Sequence, residues 1–90
     1  MRVEKQIKIT NKLGLHARAA ASLVKMCTGF KSSIRLHKDE KCADSKSIMG
    51  VLMLAATQGT ELTLIAEGED AQSAAEQVEK LFEDCFGEGE

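Results

Sequence analysis

At the start of the chain Val3, Ile7 and Ile9 alternate with Glu4, Gln6 and Lys8, the period of two expected of a half-buried strand. Asn11-Lys12-Leu13-Gly14 breaks the alternation with turn residues. Residues 17–28 are strong helix formers, with Ala20, Leu23, Val24 and Cys27 on one predicted face and Gly29 as the stop. Ser33-Ile34-Arg35-Leu36-His37 alternates again, Lys38-Asp39-Glu40 reads as a hairpin turn, and residues 41–43 form the return strand. The apolar run that follows Ser47 fits a strand or a helix by periodicity alone. Leu and Met within it, and Ser47 in front as its expected N-cap, favour a short helix.

Glu61-Leu62-Thr63-Leu64-Ile65-Ala66, between Gly59 and Gly68, predicts a fourth strand. Asp70 stands where an N-cap belongs, and Ala71, Ala74, Ala75, Val78, Leu81, Phe82 and Cys85 trace one helical face. Glu88-Gly89-Glu90 is expected to fray. The order β-α-β-β-α-β-α predicts one α+β domain over residues 1–90, with a four-stranded antiparallel sheet and helices covering one face.

Charge is uneven along this pattern. Residues 1–30 hold six basic side chains and one acidic, whereas residues 67–90 hold nine acidic and one basic. The acidic end reads as a solvated helix and tail. The basic first third surrounds a candidate site. Phe30, Phe82 and Phe86 are the only aromatic residues, which argues against a base-stacking nucleic-acid platform. No apolar run is long enough for membrane insertion, and Met1-Arg2-Val3-Glu4 does not begin a signal peptide. Cys27, Cys42 and Cys85 lack metal-ligand spacing. Their odd number fits reduced thiols in a cytoplasmic protein, read as small hydrophobes in half-buried positions.

The candidate site is Gly14-Leu15-His16-Ala17-Arg18. His16 follows a glycine turn and precedes a helix, whose first N–H groups and positive dipole end favour an anion. Arg18 can grip phosphate oxygens bidentately, and Lys12 is a second cation. A neutral imidazole nitrogen is a nucleophile toward phosphorus. On these residues alone, a histidine before a helix is more often a cap or surface residue than a phosphoryl carrier. His37, alternating within a strand, offers no second site and reads as an exposed strand residue.

Gly14-Leu15-His16-Ala17-Arg18-Ala19-Ala20 resembles the active-site signature of the HPr family, the histidine-containing phosphocarriers of the phosphoenolpyruvate phosphotransferase system. Lys46-Ser47-Ile48-Met49-Gly50-Val51-Leu52 resembles that family's regulatory-serine segment, and the likeness extends over essentially the whole chain. It implies an HPr-like open-faced sandwich with three helices on one face. It also implies that His16 takes a phosphoryl group on Nδ1 from phosphorylated enzyme I and passes it to a histidine of a IIA-type acceptor. Arg18 and the N–H groups of Ala17 and Arg18 would stabilise the transferring group, with no metal and no cofactor on this chain. Ser47 would be the substrate of an HPr kinase/phosphorylase.

The resemblance further places Ile48, Met49 and Leu52 in an exposed docking patch, with Ala21, Lys25 and Thr28 on the adjoining helix face. Lys25 and Lys46 would steer acidic partners, and the protein would act as a monomer. Val51 and Leu54 are expected to face the core. The chain departs from the family where Ala19 replaces the usual proline. The lead-in Ile9-Thr10-Asn11-Lys12-Leu13-Gly14 and the Leu81-Phe82 and Cys85-Phe86 pairs look like the nitrogen-regulatory branch, whereas the Ser47 block looks like the sugar-transport branch. The alternative function is a non-transferring regulatory protein of the same fold, acting through Ser47 and the Ile48/Met49 patch. The retained His16 argues against it.

Overall fold

The computed structural model describes residues 1–87. Strand β1 (Arg2–Lys8) leads through the His16 turn into helix α1 (Ala17–Cys27). The hairpin β2 (Ser33–Lys38) and β3 (Lys41–Asp44) follows, then the short helix α2 (Ile48–Met53), strand β4 (Glu61–Glu67) and helix α3 (Ala71–Glu83). A 3-10 turn, Cys85–Gly87, closes the described residues. The β-α-β-β-α-β-α order read from the pattern is the observed one. The run after Ser47 is helical, as its composition favoured.

The strands assemble in the order β1-β4-β2-β3, all antiparallel. Alternation sends Ile7, Ile34, Leu36, Ala43, Leu62, Leu64 and Ala66 into the core beneath the three helices, forming an open-faced sandwich. Along the pairing register, polar side chains line up on the opposite face: Gln6 pairs Thr63, Thr63 pairs His37, and His37 pairs Cys42. Ala19, Ala20, Leu23 and Cys27 are the buried stripe of α1, while the expected Val24 is half-buried beside them. Val51 and Leu54 face the core, as expected.

Two expectations at α3 need correction. Cys85 does not continue its apolar face, because the helix ends at Glu83 and the chain turns through positive φ at Cys85 and Phe86. That reversal returns Phe86 to pack edge-on against Phe82, with ring centroids 4.8 Å apart. Asp70 occupies the N-cap position but makes no side-chain cap bond. Its carboxylate instead accepts hydrogen bonds from the backbone N–H groups of Lys31 and Ser32, each at 2.9 Å, and from the Ser32 hydroxyl. The Ser32 hydroxyl and the Lys31 amide hold the Asp70 carboxyl down to about 2. Asp70 therefore latches the α1–β2 loop to the start of α3.

The cysteines do not share one environment. Cys27 is fully buried, Cys85 is half-buried, and Cys42 is exposed; all three are free thiols. Burial pushes the Cys27 thiol up to about 12. Cys42 is thus not the half-buried small hydrophobe expected, because its alternation places it on the uncovered face of the sheet's edge strand. Glu88-Gly89-Glu90, expected to fray, lies outside the described residues.

Candidate functional site

The turn before α1 is built on itself. The Asn11 side-chain N–H donates to the Gly14 carbonyl at 2.8 Å, and the Gly14 N–H donates back to the Asn11 carbonyl at 3.2 Å. Asn11 is buried, although the sequence marks it only as a turn residue. Gly14 has φ +64°, and a Cβ there would stand 2.5 Å from the Ala56 carbonyl oxygen. The Leu15 N–H donates to that same oxygen at 2.9 Å, and Leu15 is buried. The segment after α2 thus fixes where the turn ends and where His16 begins.

His16 is the N-cap residue of α1 in extended conformation, and its carbonyl accepts the Ala20 N–H at 2.8 Å. Its imidazole makes no capping hydrogen bond. The His16 carbonyl thus starts the hydrogen-bond ladder of α1, and the ring takes no part in capping it. His16 is half-buried, between the exposed Leu13 and the exposed Ala17 and Arg18. The first turn directs backbone N–H groups toward this end of an eleven-residue helix that carries no acidic residue in that turn. An anion beside His16 would meet those groups; Arg18 is exposed in the same first turn, and Lys12 is exposed on the turn before it. Ala19 is fully buried in the same turn.

Ser47 lies at the start of α2, and its hydroxyl accepts the Gly50 N–H at 3.1 Å, which is the cap expected from sequence. The preceding loop is braced by the Asp44 carboxylate, which accepts the Lys46 N–H at 2.9 Å. The Lys46 ammonium donates to the Phe30 carbonyl at 2.8 Å. That cation, expected to steer partners, thus ties the β3–α2 loop to the end of α1.

Helices α1 and α2 pack against each other. Ala21, Lys25 and Thr28 form an exposed stripe on α1, and Ile48 and Met49 are exposed on α2. Leu52 differs from this group, being half-buried and packed on the core. Met53, 71% exposed, takes the outer position that sequence reasoning assigned to Leu52. Its i+4 spacing from Met49 is the signal that would have found it. Leu13, 67% exposed on the His16 turn, is a second apolar surface residue that the sequence reading passed over.

The family model described as the PTS HPr component phosphorylation site matches residues 3–84. The chain belongs to the HPr family. It is 44% identical over 86 residues to the phosphocarrier protein HPr of Xylella fastidiosa, covering 96% of this chain and 97% of that one. A crystal structure of HPr from Thermoanaerobacter tengcongensis superposes with a TM-score of 0.92 at 44% identity, again covering 96% and 97% of the two chains. The HPr-like protein Crh of Bacillus subtilis is 46% identical over 76 residues, 84% of this chain and 89% of Crh. HPr-family proteins are phosphocarriers of the phosphotransferase system and work with enzyme I and IIA-type proteins. No helix among the described residues is long and apolar enough to cross a membrane.

Proposed function

We propose that this HPr-family chain carries a phosphoryl group on Nδ1 of His16, taking it from phosphorylated enzyme I and giving it to a histidine of a IIA-type acceptor. The observation that carries this reading is the position of His16: an N-cap residue whose side chain does not cap, on a turn braced by Asn11 and Gly14. Attack by the neutral imidazole on phosphorus forms the phosphohistidine as the bond to the donor histidine breaks. The reverse attack by the acceptor releases it. The helix N-terminus, the N–H groups of Ala17 and Arg18, the Arg18 guanidinium and Lys12 stabilise the charge during both steps. The reaction exchanges one phosphoramidate for another, so its driving force is small, and the chain's contribution is positioning and charge stabilisation.

Ala21, Lys25, Thr28, Ile48, Met49 and Met53 form the docking surface in this reading, with half-buried Leu52 beneath it. Methionine on that surface suits a face that meets more than one partner. The single domain works as a cytoplasmic monomer and serves sugar transport or the nitrogen-regulatory branch. Ser47 is the regulatory site for an HPr kinase/phosphorylase. Phosphate at this helix start meets N–H groups in place of the lost Gly50 contact, and adds charge beside Ile48 and Met49.

Similarity to Crh favours a second reading, a regulatory protein acting through Ser47 and the Ile48/Met49 patch. His16 at a helix start weighs against it, since docking alone requires no nucleophile. Labelled phosphoenolpyruvate with enzyme I decides between them. The carrier yields acid-labile, alkali-stable label that is lost in His16→Ala, whereas an unlabelled wild-type protein rejects this function.

A further inference from the structure

The three carbonyls that follow α2, those of Leu54, Ala55 and Ala56, are all held by other parts of the chain. The Lys38 ammonium donates to the Leu54 carbonyl at 3.0 Å and to the Ala55 carbonyl at 3.3 Å. The Ala56 carbonyl accepts the Leu15 N–H at 2.9 Å, next to His16. Helix α2 is six residues long and has no basic residue in its own last turn. Half-buried Lys38, at the end of β2, supplies the cation that a helix C-terminus favours. The chain reverses at Ala55 with φ +51°, a left-handed conformation that disfavours alanine relative to glycine. The two carbonyls that Lys38 holds belong to the peptide groups on either side of the Ala55 Cα, so the ammonium clamps the reversal from both sides.

We propose that Lys38 is a positioning residue for phosphoryl transfer at His16, acting through Ala56; this rests on the carrier reading given above. By fixing the peptide groups around Ala55, Lys38 sets the direction of the Ala56 carbonyl. That oxygen holds the Leu15 N–H and stands against Gly14, one and two residues ahead of His16. Attack on phosphorus needs the imidazole nitrogen in line with the bond that breaks, so a displaced turn is felt in the rate of transfer. Without the ammonium, the Leu54 and Ala55 carbonyls turn to water and Ala55 relaxes from its left-handed conformation. The Ala56 carbonyl then loses its aim at Leu15. The docking residues Ile48 and Met49 lie at the other end of α2, where the Ser47 hydroxyl holds the helix start, so association with a partner is spared.

The test compares Lys38→Met, Lys38→Gln and Lys38→Arg with wild type, using rapid-quench phosphorylation over a range of phosphorylated enzyme I concentrations. Lys38→Met is expected to lower the saturating rate about tenfold and leave the half-saturating concentration within about twofold, the signature of misplacement without lost docking. Lys38→Gln should repeat that result, and Lys38→Arg, which keeps a cationic donor, should recover most of the rate. Amide hydrogen exchange reads the route itself. The Leu15 amide should exchange about tenfold faster in Lys38→Met, while the Ile9 amide, bonded to the Thr60 carbonyl at 2.9 Å, keeps its protection. Asp70→Asn, which weakens the fold at the far end of α1, is the control for stability and should transfer at the wild-type rate. An unchanged saturating rate in Lys38→Met, an equal loss in Lys38→Arg or Asp70→Asn, or unaltered Leu15 exchange overturns the proposal and leaves His16 as the carrier. A wild-type chain that takes no label overturns the carrier reading, and this proposal with it.

Discussion

Gly14 and Ala56 approach so closely that a single added methyl on Gly14 would stand 2.5 Å from the Ala56 carbonyl oxygen and 2.9 Å from the Thr57 Cα. The neighbour is backbone and cannot swing aside, and the glycine is already at positive φ. Gly14→Ala is therefore expected to destabilise the fold by at least about 2 kcal/mol, combining left-handed strain with displacement of the turn. Gly59 has φ +90° but nothing within 4 Å of its added Cβ, so Gly59→Ala carries the backbone penalty alone. Thermal melts should rank wild type above Gly59→Ala and Gly59→Ala above Gly14→Ala. Phosphorylation at His16 should suffer in Gly14→Ala and survive in Gly59→Ala.

Arg18 is exposed, so its replacement should leave folding nearly unchanged, within about 0.5 kcal/mol. Its proposed part is played in the transferring state. Arg18→Ala is expected to slow phosphorylation of His16 by about a hundredfold, and Arg18→Lys should recover little, because an ammonium cannot grip two phosphate oxygens in a planar fork. Rapid-quench measurements with enzyme I are the check. An Arg18→Ala rate equal to wild type would remove Arg18 from the mechanism.

The Ser47 hydroxyl holds the Gly50 N–H at the start of a helix of only six residues. Ser47→Ala should lower stability by about 1 kcal/mol, or about 4–8 °C in melting temperature for a domain of this size. The same variant should lose all labelling by an HPr kinase/phosphorylase with ATP. Labelling that persists would place the modification elsewhere.

Asp70 gives stability a defined acid limb. Its carboxyl is held at about 2 in the folded chain, below the ~3.9 of an unfolded aspartate. Its contribution is therefore complete above about pH 4 and is lost as pH falls through about 2. Denaturant titrations of wild type and Asp70→Asn should differ at neutral pH and converge as the solution is acidified. A gap that stays constant down to pH 2 would show that the latch to Lys31 and Ser32 does not depend on the carboxylate charge.

Ala19 sits in the first turn of α1, ahead of the first i→i−4 bond, which runs from the Ala20 N–H to the His16 carbonyl. Proline suits that turn and narrows the unfolded ensemble. Ala19→Pro should raise stability by about 0.4–1 kcal/mol, read by thermal melting. A changed phosphorylation rate would show that alanine retunes the site, and identical kinetics would show that it does not.

Much of this was legible in local pattern. The alternation of Ile34 with Leu36 and of Leu62 with Leu64, and the spacing of Ala71, Ala74, Ala75 and Val78, each report a face that must be buried, and each is buried. Ser47 was readable as a cap because capping is settled within three residues. The errors fell where a distant group competes with the local one. Asp70 has the sequence of a cap, but Ser32 and Lys31 offer its carboxylate three donors from another loop. Lys46 reads as a free surface cation until the Phe30 carbonyl comes within 2.8 Å. Cys85 continues a helical spacing that the backbone leaves at Asp84, where the reversal brings Phe86 onto Phe82.

The sequence by itself determined the element order, the buried faces and the two motifs that mark His16 and Ser47, because each depends on residues a few positions apart. Only the tertiary structure decided how those pieces meet. Ala56 closes on Gly14 and Leu15 to place His16, Met53 rather than Leu52 extends the outer face of α2, and the strand register sets Cys42 against His37. These relationships join residues remote along the chain or depend on which face packs inward. Their energies come from packing, desolvation and hydrogen bonds that exist only once the layers have closed.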